Sequence, residues 1–175
     1  MMIRRLLVII AALMFPVCAH AAVGSDDRQP VFLADQFFMG MTTGEGKLMK
    51  RSGEIDQRFT VVSNGQYDSE GRFLLKQVIS WSDGDEQLRT FVLTPDGQGN
   101  FKGHFADGFG NVRLTSEEKV GRLRHKLPGL PLGRIEQFMT LQPDGRTVLN
   151  KGRVRVLGIT VRYLEETITR PVEAP

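Results

Sequence analysis

Apolar and polar residues alternate along most of this chain at the two-residue period that is typical of β-strands. The alternation is clearest in residues 72–105, where three β-prone runs are separated by Asp83-Gly84 and Asp96-Gly97. Asp-Gly readily adopts the positive φ angles of tight hairpin turns. This stretch therefore predicts a three-stranded antiparallel meander, with Phe73, Gln77 and Trp81 on the same face of its first strand.

The same pattern continues on both sides of the meander. Turns are predicted at Asn64-Gly65 and Asp144-Gly145, and further strands at residues 36–50, 55–63, 109–118, 121–127, 134–141, 147–157 and 159–168. Sequential hairpins favour an up-and-down barrel over a Greek-key sandwich, and closure removes exposed sheet edges. We therefore predict an all-β fold, a single antiparallel up-and-down barrel of the calycin or lipocalin kind, with about 8–10 strands in residues 36–169.

The segments outside the barrel have other patterns. Residues 1–21 combine Arg4 and Arg5, an apolar stretch too short to span a membrane, and a small-x-small site at Ala19-His20-Ala21. This is the pattern of a cleaved secretory signal peptide, so we expect a periplasmic protein that begins at Ala22. Residues 22–35 read as an N-terminal lead that docks near residues 31–33, and residues 170–175 as a frayed tail.

Cys18 offers an alternative to cleavage after Ala21, namely a lipoprotein anchored through this cysteine. The residues before it, Pro16 and Val17, are poor choices for a lipoprotein signal, so we prefer cleavage after Ala21. The mature chain would then contain no cysteine, which excludes disulfides, thiol nucleophiles and thiolate metal sites.

Export also changes the charge. Removing Arg4 and Arg5 from 23 basic and 20 acidic residues leaves a net charge of +1. So small a net charge gives no long-range attraction to nucleic acid, and no second stretch has the length of a transmembrane helix. We expect no nucleic-acid partner and no stable membrane insertion, and the sequence leaves the oligomeric state open.

Residues for metal or covalent catalysis are sparse. His104 and His125 lie on separate predicted strands without metal-ligand spacing, and no G-x-S-x-G motif is present. The acidic segment at residues 83–86 fits a turn better than a calcium loop. We therefore expect no metal, no cofactor and no catalytic residue.

Two arginines are candidates for the recognition of an acidic ligand. Arg58 and Arg89 each lie within a predicted strand beside aromatic residues. Either could project into the barrel and bind an acidic head group through its planar guanidinium, or could face outward in a cross-strand ion pair. Asp107 could be an internal partner of one arginine or a turn residue before Gly108. The apolar candidates for a cavity lining are Phe59, Trp81, Phe91 and Phe105.

Several short segments resemble a known family in their order and spacing. They are Phe37-Phe38-Met39-Gly40, Arg51-Ser52-Gly53 with Arg58-Phe59-Thr60-Val61, Ser82-Asp83-Gly84 with Arg89-Thr90-Phe91, Gly103 with Asp107 and Gly110, Leu149-Asn150-Lys151, and Leu157-Gly158. On these segments the chain resembles a divergent member of the DUF3833 family over residues 37–169. The resemblance implies an exported, lipocalin-like barrel without an established activity, and it hints at lipid. The chain departs from the family at residues 135–140, where an Asp-Asp-Trp-Met-like segment is usual.

Three functions remain open from the sequence. The first is a periplasmic barrel that binds a small, apolar or lipid-like ligand. The second is an accessory protein with a filled barrel, which contacts an envelope partner through its outer face or through the leucine-rich loop at residues 127–133. The third is an uncharacterised lipid-related enzyme, which is disfavoured because acid and base candidates are so few.

Overall fold

Consecutive strands pair antiparallel throughout residues 40–169, and the last of these strands pairs with the first, so that the sheet closes into a barrel. The structure is a computed structural model that describes residues 31–172. The predicted all-β up-and-down barrel is confirmed. Ten strands surround the lumen in the order β1-β10-β9-β8-β7-β6-β5-β4-β3-β2.

Their bounds follow the predicted strands closely, because alternation and turn residues are local properties of the chain. The elements are α1 (Ala34–Phe38), β1 (Gly40–Lys50), β2 (Ile55–Tyr67), β3 (Phe73–Trp81), β4 (Glu86–Pro95), β5 (Phe101–Phe105), β6 (Val112–Glu117), β7 (Val120–Lys126), β8 (Gly133–Leu141), β9 (Thr147–Val156) and β10 (Ile159–Thr169).

The start of the first predicted strand is wrong. Residues 34–38 form the short helix α1, and β1 begins only at Gly40, where φ is +72°. Phe37 and Phe38 are buried, and their rings lie 5.0 Å apart in an edge-to-face arrangement. A single helical turn lets these consecutive phenylalanines enter the barrel together, whereas a strand would point them to opposite faces.

The predicted turn at Asn64-Gly65 is also wrong, because β2 continues through it to Tyr67. Gly65 instead gives room to α1, since a Cβ there would collide with the carbonyl oxygen of Phe38. The chain turns at residues 68–72, where Asp68 Oδ1 accepts hydrogen bonds of 2.9 Å from the backbone N–H groups of Glu70 and Arg72. The tertiary contact overrides a favourable turn dipeptide.

Helix α1 closes one end of the barrel, which we call the lower end. Phe32, just before the helix, is fully buried, and its N–H donates a 2.8 Å hydrogen bond to the carbonyl of Glu118 in the β6–β7 turn. Gly121 on β7 leaves space for the Phe32 ring. The predicted signal peptide at residues 1–21, residues 22–30 and the end of the predicted tail at residues 173–175 lie outside the described residues.

Two apolar clusters fill the lumen. The lower cluster surrounds α1 and includes Phe73, Phe91, Phe101 and Phe105. The upper cluster lies at the opposite end and consists of Phe59, Val61, Ile79, Ile135, Val154 and Leu164, with Leu48, Trp81, Leu127 and Val161 partly buried against it. Both ends of the lumen are therefore packed with apolar side chains, and polar groups lie between them.

Candidate ligand-binding chamber

A small cavity in the lumen adjoins both apolar and polar side chains, and we call it the chamber. Its volume is about 40 Å³. The apolar part of its lining belongs to the lower cluster. The polar part comes from Gln77 on β3, Arg89 on β4, Gln137 on β8, Asn150 on β9 and Glu166 on β10.

Arg89 is the positive charge of the chamber. Its Nε donates a 2.8 Å hydrogen bond to Oε1 of Gln77, whose Nε2 in turn donates to Ser63 Oγ at 3.0 Å. Desolvation lowers the pKa of Arg89 to about 10, against a smaller opposing effect of Glu166. No carboxylate of residues 31–172 lies within 4.0 Å of Arg89 as an ion-pair partner. The guanidinium is thus a desolvated charge without a close counter-ion.

Glu166 provides the acidic group on the other side of the chamber. Its Oε2 accepts a 2.8 Å hydrogen bond from Asn150 Nδ2, its register partner on β9. Desolvation raises the pKa of Glu166, and neither the hydrogen bond from Asn150 nor the charge of Arg89 reverses that shift. Gly44 on β1 makes room for this carboxylate, since a Cβ there would collide with Glu166 Oε1.

His125 on β7 lies beside the chamber rather than in its lining. Its ring meets Phe91 and Phe105 edge-on, at centroid distances of 5.5 and 5.1 Å. Nδ1 is 2.7 Å from the carbonyl oxygen of Lys126, and because a carbonyl only accepts, Nδ1 carries the proton. Desolvation lowers the pKa of His125 to about 4, and the charge of Arg89 adds to this effect, so the ring is neutral at pH 7.

Several buried polar atoms on the lumenal side of the strands have no hydrogen-bond partner among residues 31–172. They are Thr42 Oγ1, His125 Nε2 and Asn150 Oδ1. Buried polar groups are normally satisfied by protein, water or ligand, and each unpaired one is costly. A lumen that contains a guanidinium without a counter-ion and unsatisfied hydrogen-bond acceptors is better suited to bind a polar group of a ligand than to act only as a hydrophobic core.

The predicted aromatic candidates all lie on the lumenal side. Phe59 belongs to the upper cluster, and Phe91 and Phe105 to the lower one. Trp81 is the last residue of β3, at the upper end, where its ring centroid lies 5.3 Å from that of Phe59. Of the predicted site residues, only Phe91 and Arg89 line the chamber.

The structure does not bring Arg58 and Asp107 to the chamber. Arg58 is exposed and follows the outward alternation of β2, opposite to the buried Phe59. Asp107 is exposed in the β5–β6 loop, where its Oδ1 accepts a 2.8 Å hydrogen bond from the N–H of Phe109. Asp107 therefore serves the turn, and the lumenal arginine is Arg89.

Arg58 instead lines a larger depression of about 560 Å³ over β1, β2, β9 and β10. This depression is open to solvent, and two of its charges, Lys47 and Glu165, already form a 3.0 Å ion pair. Exposed, paired charges recognise a ligand weakly. We therefore regard the chamber, with its desolvated and unpaired groups, as the better candidate site.

Sequence reasoning missed Asn150, Glu166 and Gln137 as lumenal polar groups. A signal was present for Asn150, because the other residues on its face of β9 are valine or glycine. Glu166 alternates with the buried Leu164 and Ile168. Arg162 belongs to the same alternation, so the signal on β10 was weaker. Pairing of the strands was needed to show that they meet Arg89, which is 77 residues before Glu166 in the chain.

The segment that departs from the family pattern lies on β8. There Glu136 faces outward and accepts hydrogen bonds from Arg122 and Arg153, whose guanidinium groups also lie 5.5 and 5.7 Å from the Phe138 ring. Burial alone would raise the pKa of Glu136, but these two arginines lower it overall. This cluster is on the outer surface, away from the chamber.

Residues 31–172 lack two features that would indicate other functions. They contain no group of three or more His, Cys, Asp or Glu placed to hold a metal ion. Nor does this part of the chain have a helix that is long and apolar enough to cross a membrane.

The model of a family described as "Protein of unknown function (DUF3833)" matches residues 12–170. The chain belongs to the DUF3833 family. The resemblance inferred from the short segments is thus confirmed, and the match covers nearly the whole chain. Among curated proteins, none matches this member of the family.

Two solved structures share the fold of this DUF3833 protein. A protein of unknown function from the DUF3598 family of Nostoc punctiforme has 17% sequence identity and a TM-score of 0.62, over 85% of this chain and 53% of that one. The DUF3833 chain thus spans about half of its length. An S-type phycobiliprotein lyase from Guillardia theta has 10% identity and a TM-score of 0.58, over 80% and 92% of the two chains. At these identities the likeness establishes the barrel fold.

Proposed function

We propose that this protein is a periplasmic barrel that binds a small, acidic, lipid-like ligand. The acidic head group occupies the chamber beside Arg89, and the apolar part lies among the side chains of the upper cluster. The observation that carries the proposal is the desolvated guanidinium of Arg89, which has a hydrogen bond to Gln77 but no ion-pair partner within 4.0 Å among residues 31–172.

An anion supplies what this guanidinium lacks. A buried charge without a counter-ion is expensive, and a carboxylate or phosphate oxygen would form charge-assisted hydrogen bonds with it. Desolvation raises the pKa of Glu166, which shifts this residue toward its neutral carboxyl form and lessens its repulsion of an anion beside Arg89. A neutral Glu166 could also donate to the ligand, and the unpaired Asn150 Oδ1 could accept from it.

Entry takes place at the upper end in this proposal. Helix α1 and Phe32 close the lower end, whereas Trp81 and Leu127 are only partly buried at the upper one. A chamber of about 40 Å³ accommodates a head group but not a chain. An acyl chain must therefore displace side chains of the upper cluster, exchanging one set of apolar contacts for another.

Fluorescence of Trp81 tests the proposal, because this is the only tryptophan of the chain. Titration with fatty acids and lysophospholipids should change it saturably. Arg89→Ala should weaken binding of acidic ligands by about tenfold or more, the loss expected for a charge-assisted hydrogen bond, and should affect neutral analogues much less. The matched control is Arg58→Ala, which removes an exposed arginine and should leave the titration unchanged.

An organic extract of the purified protein, examined by mass spectrometry, tests the same idea without a chosen ligand. An acidic amphiphile should be recovered from the wild type and the Arg58→Ala protein, and be depleted in the Arg89→Ala protein. If extracts are empty and no lipid changes Trp81 fluorescence, the lipid-binding function is wrong.

A second function is favoured by the size of the chamber. Both ends of the barrel are packed, and about 40 Å³ is well below the volume of ordinary ligand pockets. A filled barrel would instead act through its surface, as an accessory protein of the cell envelope. This function requires that Trp81 remain insensitive to every lipid tested.

Export is part of both proposals. Signal cleavage after Ala21 predicts a mature protein that begins Ala22-Val23-Gly24. Intact-mass measurement of the exported protein checks this, and a diacylglyceryl group on Cys18 would replace the free periplasmic form with an anchored one.

A further inference from the structure

Large aliphatic side chains are exposed to solvent at the upper end of β8, β9 and β10. They belong to the β7–β8 loop, the β9–β10 turn and the first residue of β10. The exposed fractions are 39% for Leu130, 70% for Leu132, 73% for Leu157 and 59% for Ile159. We call these four residues the aliphatic tip.

The two loops of the tip lie side by side. Val156, at the end of β9, pairs with Gly133 at the start of β8 and with Ile159 at the start of β10. Leu132 directly precedes Gly133, and Leu157 directly follows Val156. Residues that are 25 positions apart in the chain are thereby joined in one apolar patch on the rim of the barrel.

Two of these leucines have a backbone conformation that does not suit them. Leu132 has a φ of 59° and Leu157 a φ of 52°. This left-handed region is adopted readily by Gly and Asn but rarely by branched apolar residues. Leucine at either position therefore strains the backbone and exposes an apolar side chain, and neither effect stabilises the fold. Such a residue indicates that the side chain has a function.

A row of basic residues lies directly beneath the tip on the outer surface. Lys126 on β7 pairs with Arg134 on β8, and Arg134 pairs with Arg155 on β9. None of the three forms an ion pair within 4.0 Å in residues 31–172, and Arg155 Nε is buried without a hydrogen-bond partner. Like charges directly opposite one another destabilise a sheet. An external anion bound to this basic row would reduce the repulsion between its three charges.

We propose that the aliphatic tip and the basic row together form a docking surface for an anionic phospholipid bilayer. The leucines and the isoleucine enter the boundary between head groups and acyl chains, and the basic row contacts lipid phosphates. Apolar side chains flanked by Lys and Arg bind such interfaces through buried apolar area and electrostatic attraction. The association is peripheral and reversible, and the protein does not cross the bilayer.

Docking in this orientation brings the upper end of the barrel to the membrane. Leu127 starts the loop that carries Leu130 and Leu132, and like Trp81 it packs against the upper cluster. The docking surface is argued from the outer residues alone and does not depend on a ligand in the chamber. The two ideas are separable, because Arg89→Ala should leave docking intact.

The opposite side of the barrel offers matched controls. In a closed ten-strand barrel, β3 and β4 lie across the lumen from β8 and β9. Leu88 on β4 is 79% exposed, and Lys76 on β3 is exposed and has no ion pair among the described residues. Leu88 matches the exposed leucines of the tip and Lys76 matches the basic row, but both residues lie outside the docking surface.

Vesicle co-sedimentation tests the proposal. The protein is purified after export from cells that make the full chain, and intact mass confirms that all variants are processed alike. Vesicles contain phosphatidylglycerol and phosphatidylethanolamine, or phosphatidylcholine alone. The wild type should bind the anionic vesicles. Binding should fall steeply from about 50 to about 500 mM NaCl, because salt over roughly this range screens surface charges.

The variants separate the apolar and the electrostatic parts. Leu132→Asn with Leu157→Asn should lower the partition coefficient about tenfold or more, because two exposed leucines no longer enter the bilayer. Asn suits a positive φ, so the thermal midpoint of this variant should not fall. Lys126→Gln with Arg134→Gln should lower binding to anionic vesicles about 25-fold, since each basic residue contributes about fivefold. Leu88→Asn and Lys76→Gln should each leave binding unchanged.

Three results would overturn the proposal. One is equal binding by the wild type and the Leu132→Asn, Leu157→Asn protein. Another is binding that does not depend on anionic lipid. The last is a wild type that does not bind vesicles but forms a dimer in light scattering, where the dimer is lost in the Leu132→Asn, Leu157→Asn protein. The aliphatic tip would then be an interface between copies of this chain.

Discussion

Nε of Arg89 donates a 2.8 Å hydrogen bond to Oε1 of Gln77, which is its register partner on the neighbouring strand of the barrel. This bond orients the guanidinium in the lumen but does not neutralise it. Since Glu166 is too far away for an ion pair, the arrangement favours binding of an anion over stability of the unliganded protein.

Arg89→Met should therefore stabilise the unliganded protein. Methionine fills a similar volume and removes the desolvation cost of the charge, at the loss of one hydrogen bond to Gln77. We expect the free energy of unfolding in urea to rise by about 1 kcal/mol. Arg153→Met is the contrasting control, because Arg153 is paired with Glu136 and its loss should destabilise the protein. A loss of several kcal/mol in Arg89→Met would mean that Arg89 is a structural residue.

His125 should make stability depend on pH between about 6.5 and 4. Its pKa is about 4 in the folded protein and 6.5 as the reference value for the unfolded chain. Across this window the unfolded state binds more protons, so stability falls as the pH is lowered, by about 3 kcal/mol in total. Urea denaturation at pH 7, 5.5 and 4 measures the effect.

His125→Phe should remove this part of the pH dependence. Glu166, whose pKa is raised, acts in the opposite direction, so the difference between the wild type and His125→Phe isolates the histidine. His104→Phe is the matched control, since His104 is an exposed residue on β5. Parallel pH curves for the wild type and His125→Phe would contradict the prediction.

Leu157→Asn should increase stability. Leu157 and Gly158 have φ angles of 52° and 83°, the pattern of a type I′ hairpin turn, for which Asn-Gly is the preferred dipeptide. Relief of the left-handed strain should raise the free energy of unfolding by about 1 kcal/mol. Thermal denaturation followed by circular dichroism measures it, and Leu88→Asn, at an exposed strand position, should bring no gain.

Gly65→Ala should loosen the closure of the lower end. A methyl group there collides with the Phe38 carbonyl of α1 and with the Phe73 ring, so either the helix or the strand must move. We expect a loss of about 2 kcal/mol in the free energy of unfolding and faster proteolysis near residues 31–38.

Gly44→Ala is the control for the closure of the lower end. Its Cβ meets only the end of the flexible Glu166 side chain, so we expect a smaller cost. An equal cost for Gly44→Ala and Gly65→Ala would show that α1 is not held by this contact.

Most of the barrel could be predicted from the sequence, because period-two alternation and Asp-Gly turns act over a few residues. The strand Phe73–Trp81 was predicted with its correct ends and with Phe73, Gln77 and Trp81 on one face. The failures at α1 and at Asn64-Gly65 share one cause. Both segments depend on the contact between the Phe38 carbonyl and Gly65, residues that are 27 positions apart, and no local propensity reports such a contact.

The sequence by itself determined the all-β class, the order of the strands, the family and the residue types available for binding. It left open which of two arginines enters the lumen, because one strand has two faces and only its neighbours decide which face is inside. Strand pairing and closure decided that Arg89 meets Gln77 and lies near Glu166, and that Lys126, Arg134 and Arg155 form one row. These relationships join residues far apart in the chain, so only the register of the closed sheet brings them together.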